Sequence, residues 1–314
     1  MPAPRKLKVM LVAEEAAGVR MFRALTATSH DIVAVLTSVS EKPGETSLAS
    51  VAKQQGHKVW PASLVKEADL AKTVRGAGID LLLNIHSRHI ICDEVLKATR
   101  IGAFNVHPGP LPKYAGLNST SWAIFSGEQT YGVTVHWMER EIDTGAIAYK
   151  ALFPLWRNDT PVTLTHKCIT NGIPLVLQLL STASQDEASI PRQQQNLMER
   201  YYHAKEVPDD GRLCWNRSAS EVVNFVRACE YWPYPSPWGH PRTRLGDREF
   251  AVTKAAPTDT PCTSAPGTVG SCDQEACMVA ATDEWVALHQ LKLGGQSVRP
   301  QDILRPGDIL SDEV

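Results

Sequence analysis

The chain has 314 residues, 43% of them apolar and 21% charged, with a formal net charge of −2 at neutral pH. That balance supports a buried core in one large or two ordinary domains and excludes a disordered tail, a collagen-like repeat or a disulfide-held miniprotein. No apolar run approaches the roughly 18–20 residues of a membrane span, and Met1–Lys8 lacks the apolar stretch of a signal peptide, so a cytoplasmic protein with no membrane partner is expected.

The first two hundred residues alternate between strand and helix patterns. Lys8–Ala13 is a short continuous apolar run of the kind found in buried parallel strands. A helical pattern follows from about Ala16 to Thr26, and Asp31–Thr37 reads as a strand. Ser47–Gln55 reads as helix, Lys58–Trp60 as a short strand, and Ser63–Ala77 as a helix with Ser63 at its N-cap. Asp80–Ile85 is a strand, Asp93–Ala98 a helix and Ile101–Val106 a strand. Repeated strand–helix–strand units predict an α/β domain over residues 1–205, with a mainly parallel sheet covered on both faces. The first strand–helix turn, Glu14–Arg20, carries one glycine and two acids where a dinucleotide fold carries three glycines, so NAD, FAD and ATP are disfavoured there.

The polar stretch Lys205–Gly211 marks a boundary. Beyond it, Ser220–Cys229 has helical apolar spacing, while Tyr231–Pro241 is too rich in proline for regular structure. Strand-like runs at Glu249–Thr253, Ala276–Ala280 and Trp285–His289, separated by Gly, Pro, Ser and Asp clusters, predict a smaller β-rich domain of barrel type over residues 206–314. From Val207 onward there are ten Lys/Arg against fifteen Asp/Glu, a net of −5, which repels rather than attracts a phosphate backbone. The seven cysteines are irregularly spaced; only Cys272 and Cys277 are close. They read as free thiols, and no zinc-type spacing is present.

The chemistry concentrates after the Ile101–Val106 strand. Asn105 and His107 are two residues apart, so on extended chain they point to one side. In a doubly wound sheet such a strand end is where ligands bind. An Asn amide is a neutral donor suited to an oxyanion, and a His is an acid or base near neutrality. Pro108–Pro112 forms a rigid irregular loop. Tyr131–Met138 reads as a strand leading to the turn Glu139–Gly145, where Asp143 is placed to orient His107. Taken singly, each of these features is common in purely structural settings.

Taken together, the segments resemble the folate-dependent formyltransferase family: Asn105-x-His107 followed by Leu111-Pro112-x-Tyr114-x-Gly116, then Ser121–Ile124, Gly127-Glu128, Gly132-Val-Thr134 and Ile142–Gly145. The likeness continues through Leu213–Arg227 and the closing Leu291–Leu304. It implies a Rossmann-like catalytic domain followed by a smaller OB-like barrel. It also implies transfer of a formyl group from 10-formyltetrahydrofolate as cosubstrate to an amine, without a metal. The family's catalytic Asn, His and Asp fall on Asn105, His107 and Asp143. Its folate pocket falls on Ser87, Arg88, His89, Ile90 and Ile91, on the loop Gly109, Pro110, Leu111 and Pro112, and on Glu139 and Ile142. Gly109-Pro110 departs from the Ser-Leu often found in that loop.

Within the family, the acidic C-terminal region and the segment Ser38–Ser47, with one Lys against two Glu, argue against methionyl-tRNA as acceptor. The resemblance is nearer to enzymes acting on small amines in biosynthesis, either a nucleotide-linked amino sugar or a siderophore- or peptide-pathway amine such as hydroxyornithine. Glu14, Glu15, Asn118 and Trp122 are candidates for the amine side. The alternatives are methionyl-tRNA formyltransferase, a 10-formyltetrahydrofolate hydrolase and a non-catalytic folate-binding or regulatory protein. A homodimer is compatible with the sequence, which otherwise leaves the oligomeric state open.

Overall fold

A computed structural model describes residues 4–38, 47–199, 202–203 and 206–311. The interior of the Ser38–Ser47 segment, residues 39–46, lies outside them. The chain divides into two compact units: Met1–Gly116 with Tyr131–Phe153 and His166–Tyr202, and Leu117–Thr130 with Pro154–Thr165 and His203–Val314.

The first unit begins β1 (Lys8–Ala13), α1 (Glu15–Thr26), β2 (Asp31–Thr37), α2 (Leu48–Gln54), β3 (Val59–Pro61), α3 (Leu70–Ala77), β4 (Leu81–Ile85), α4 (Asp93–Leu96), β5 (Gly102–His107) and β6 (Ala115–Gly116). After the short helix α5 (Ser119–Phe125) of the second unit come β7 (Thr130–Trp137), β8 (Ile147–Pro154), the long helix α6 (Pro161–Gln185) and β9 (Tyr202–His203), which pairs with β6. The main sheet has the order β3-β2-β1-β4-β5-β7-β8. β3, β2, β1, β4 and β5 pair in parallel, and β7 runs antiparallel to β5.

The apolar runs explain this arrangement. Val9 to Ala13 and Leu81 to Leu83 are almost wholly buried, as central strands covered on both faces require. α1 places Ala17, Met21, Phe22 and Leu25 on the covered face at helical spacing. The carboxyl ends of β1, β4 and β5 therefore lie side by side, the position at which open α/β sheets bind ligands. One expectation changes: residues 63–77 do not form a single helix. Ala62–Lys66 is a 3₁₀ turn and α3 starts only after Asp69. Val65, fully buried, anchors that turn, and its carbonyl accepts the Cys92 amide at 2.9 Å.

In the second unit, α7 (Ala219–Ala228) is started by a capping box in which Ser218 and Glu221 satisfy each other's backbone amides. The strands β10 (Arg242–Leu245), β11 (Arg248–Pro261), β12 (Val269–Cys272), β13 (Cys277–Ala280), β14 (Glu284–Leu293) and β15 (Gln296–Val298) form an antiparallel sheet of order β10-β11-β14-β13-β12, with β15 on β14. The tail links its two edges. Ser311 exchanges hydrogen bonds with Arg244 of β10, while the Leu310 amide reaches Gly267 and the Val269 amide of β12 reaches Asp308. The tail thereby covers part of each edge, where an open strand would offer pairing groups to another chain. Cys272 and Cys277, expected as free thiols, form a disulfide where β12 meets β13, because antiparallel pairing sets them opposite each other. Among the described residues, no helix is long and apolar enough to cross a membrane.

Candidate active site

A polar row crosses the buried sheet at its carboxyl end. Parallel register sets Asn84 of β4 beside Asn105 of β5, and antiparallel register sets Asn105 opposite His136 of β7. Asn84 Nδ2 donates to Asn105 Oδ1 at 2.9 Å, and Asn105 Nδ2 lies 3.1 Å from His136 Nε2. Asn84 and His136 are buried and Asn105 is half-buried. Pairing along the row offsets the cost of burying these polar side chains, with Asn84 Oδ1 left unpaired.

Asp143 faces this row from the turn after β7. Its Oδ1 is 3.4 Å from both Asn105 Nδ2 and His136 Nε2, and its Oδ2 is 3.4 Å from His107 Nδ1. The Gly116 amide donates to Oδ2 at 2.9 Å. The turn is strained: Asp143 has φ of 54°, a left-handed conformation that is uncommon outside glycine. Two features hold it. A β-carbon on Gly145 would stand 1.9 Å from the Trp137 carbonyl oxygen, so only glycine fits there. Gln195 Nε2 donates to the carbonyls of Asp143 and Gly145, at 2.9 and 2.7 Å.

Burial alone would raise the Asp143 pKa. The charge of His107, the polar surroundings at His136 and the Gly116 amide outweigh it and hold the carboxyl below the usual carboxylate range. Asp143 is therefore an anion at neutral pH. His107, almost completely buried, has its other nitrogen, Nε2, 2.6 Å from the Tyr114 carbonyl oxygen. Thr134, opposite His107 across the β5–β7 pair, donates to the Gly109 carbonyl at 2.7 Å and accepts the Leu111 amide at 3.1 Å, tying the proline-rich loop to the sheet. His86, at the end of β4, has φ of 55°. Burial, with His107 adding and Glu15 opposing, lowers its pKa, which favours the neutral ring.

The structure thus gathers Asn105, His107 and Asp143 within hydrogen-bonding reach. Among the other candidates, Ser87 and His89 are half-buried and joined by a hydrogen bond from the His89 amide to the Ser87 hydroxyl. Arg88 is exposed and paired with Glu15, and Ile90 is 66% exposed, whereas Ile91 is packed in the core. In the loop, Gly109 and Leu111 are buried and Pro110 and Pro112 half-buried, while Glu139 and Ile142 are exposed in the turn. Leu111 packs its side chain with Ala115 and Ile147, and its amide is taken up by Thr134. Glu14 is buried, and its carboxylate accepts from the hydroxyls of Thr37 and Ser38 and from the Ser38 amide. Asn118 and Trp122 belong to the second unit. Asn118 precedes α5 with φ of 53°, and Trp122 meets Phe125 and Trp238 edge-to-face.

Sequence reasoning missed Asn84, His136 and Gln195. The first two carried a signal, since an Asn stands alone in the otherwise apolar β4 and a His lies in the wholly buried stretch of β7. Gln195 carried none, because its contact depends on the path of the chain some fifty residues after Asp143.

Residues 6–179 match the model of the formyl transferase domain, and residues 206–306 match that of the formyl transferase C-terminal domain. Among solved structures, the chain is similar to an N-formyltransferase from Helicobacter canadensis in complex with folinic acid and dTDP-3-aminofucose, at 18% identity over 90% of this chain and 99% of that one, with a TM-score of 0.68. It is also similar to HypX from Aquifex aeolicus in complex with tetrahydrofolic acid, at 19% identity over 96% of this chain and 47% of that one, with a TM-score of 0.63. A sugar N-formyltransferase from Shewanella sp. is similar at 18% identity over 73% of this chain and 91% of that one, with a TM-score of 0.56. The chain spans about half the length of HypX, and at these identities the likeness is one of fold. With both domain models matched in order and the first covering more than half its length, the chain belongs to the formyl transferase family.

Proposed function

We propose that the protein transfers the formyl group of 10-formyltetrahydrofolate to the primary amine of a small molecule, with a nucleotide-linked amino sugar as the leading acceptor class and a hydroxyornithine-like amine as the second. The observation that carries this reading is the cluster of a neutral amide donor, an imidazole and a carboxylate anion within 3.4 Å at the carboxyl end of β5. The Helicobacter N-formyltransferase is in complex with folinic acid, a formylated folate, and with dTDP-3-aminofucose, an amino sugar on a nucleotide, which supports both halves of the proposal.

The reaction makes one C–N bond and breaks another. The amine nitrogen attacks the formyl carbon, the carbonyl oxygen takes negative charge, and the N10–C bond of the folate then breaks. The products are a formamide and tetrahydrofolate, whose nitrogen gains the proton the amine loses. Asn105 is the donor for the developing oxyanion, a role worth roughly 3–4 kcal/mol per donor. His107 receives the amine proton, and the Asp143 anion stabilises the resulting imidazolium. As His107 Nε2 is covered by the Tyr114 carbonyl, the amine reaches it only when residues 108–116 yield.

The test is a panel of amines offered with 10-formyltetrahydrofolate: dTDP-3-aminofucose, hydroxyornithine, charged initiator tRNA and water alone. A product heavier by one CO unit with the sugar or diamine supports the proposal. Tetrahydrofolate release that no amine accelerates would instead indicate a hydrolase.

A further inference from the structure

We infer that His136 is a positioning residue for this reaction: as a neutral hydrogen-bond acceptor it fixes the side-chain amide of Asn105 with its donor edge toward the reacting centre. The inference rests on the reading of Asn105 as the oxyanion donor.

The proton count along the buried row leads to it. His136 Nδ1 lies 2.8 Å from the Trp137 carbonyl oxygen, which can only accept, so Nδ1 carries a proton. Nε2 lies 3.1 Å from Asn105 Nδ2 and 3.4 Å from Asp143 Oδ1; an amide nitrogen can only donate, so the shorter contact assigns a lone pair to Nε2 and the neutral tautomer to the ring. On the other side, Asn84 Nδ2 donates to Asn105 Oδ1 at 2.9 Å. The Asn105 amide is thus held at both ends, and a rotation by half a turn would set oxygen against a lone pair and nitrogen against a donor. An Asn amide has two N–H groups. One goes to His136. The other faces Asp143 Oδ1 at 3.4 Å, a long contact, which leaves it available to a formyl oxygen that develops charge.

Register makes the arrangement a property of the fold. Asn84, Asn105 and His136 occupy neighbouring positions on three adjacent strands, so backbone pairing sets their spacing before any side chain rotates. A donor held in advance needs no reorganisation during the reaction, and a misplacement of about 1 Å can cost on the order of a hundredfold in rate.

The test compares His136→Phe, which keeps a flat ring and removes the acceptor, with His136→Gln, whose Oε1 accepts in place of Nε2. Solvent exchange of the Asn105 side-chain amide is read by ¹⁵N NMR, with its signal assigned by its loss in Asn105→Ala. Protection is expected to fall in His136→Phe and to return in His136→Gln. With dTDP-3-aminofucose as the amine, kcat is expected to fall roughly tenfold to a hundredfold in His136→Phe. The KM for 10-formyltetrahydrofolate should stay within about twofold, and the fall should disappear in the Asn105→Ala background, because the positioned group is gone. Unchanged amide protection in His136→Phe overturns the inference whatever the rates. So does a loss of rate of equal size with and without Asn105, which is what a general structural role gives. Asn105→Ala at the wild-type rate would instead remove Asn105 from its role, an outcome that the exchange measurement keeps separate.

Discussion

The Tyr114 carbonyl oxygen stands 2.6 Å from Nε2 of His107, while Asp143 Oδ2 stands 3.4 Å from Nδ1 of the same ring. Both partners can only accept when Asp143 is ionised. A neutral imidazole satisfies one of them; an imidazolium satisfies both. The surroundings therefore complement the protonated ring that would form once His107 has taken a proton, and catalysis depends on such selective complementarity. His107→Ala and Asp143→Ala are each expected to lower kcat on the order of a hundredfold or more while folinic acid binding changes by no more than a few-fold. Steady-state rates with calorimetric binding of folinic acid check this, and a rate near wild type in either variant removes that residue from its role.

Gly109 packs tightly against this ring. A β-carbon there would lie 2.7 Å from His107 Nε2 and 2.9 Å from the Tyr114 carbonyl oxygen. Gly109→Ala should therefore push the imidazole and the carbonyl apart, lowering stability by about 1–3 kcal/mol as overpacking does. The rate should fall with it. Urea unfolding together with the formyl-transfer rate measures both, and an alanine variant as stable and active as the parent would show that the loop can shift freely.

The legible part of the molecule was the part that local pattern determines. Buried apolar runs such as Leu81–Ile85 announced central strands, and Asn105-x-His107 after a strand announced the site. Asp143 was legible as an acid in the turn after a strand, and the resemblance joined it to Asn105 and His107; spacing alone could not place a residue that reaches the site from a separate turn. His136 and Asn84 became functional only through cross-strand register, which pairing between distant segments decides. The break between Lys66 and Leu70 escaped because tertiary burial of Val65 overrode helical spacing. The Cys272–Cys277 disulfide likewise depended on the strand pairing that sets the two residues opposite each other.

Asp143 also links the site to stability. Its folded pKa lies below that of an exposed aspartate, about 3.9, so its ionised form stabilises the folded chain at any pH above that value, and the contribution is lost as pH falls toward the folded pKa. The stability gap between the parent and Asp143→Asn should thus be the same at pH 7 and pH 5 and narrow only below about pH 4. Denaturant unfolding at those pH values checks this. A gap that closes between pH 7 and pH 5 would mean that a histidine, not Asp143, carries the dependence.

The acceptor remains the most consequential expectation. The region from Val207 onward carries a net charge of −5, and the segment Ser38–Ser47 holds one Lys against two Glu. Binding tRNA requires neutralised phosphates, and each neutralised phosphate makes log affinity fall by about 0.7–0.9 per unit of log salt. A small amine has no such array of charges to neutralise. Formyl transfer to the productive acceptor should therefore respond only weakly to salt between 50 and 200 mM, over which a binder making many phosphate contacts loses about 10³–10⁵ in affinity. The discriminating measurement is kcat/KM for charged initiator tRNA and for dTDP-3-aminofucose at both salt concentrations. Low salt gives tRNA its best chance, since electrostatic attraction is then least screened. Efficient formylation of tRNA at 50 mM salt that collapses at 200 mM would overturn the small-amine reading and show that a local basic patch outweighs the acidity of the C-terminal region. A flat response with the amino sugar, and no formylated tRNA at either concentration, is the outcome expected.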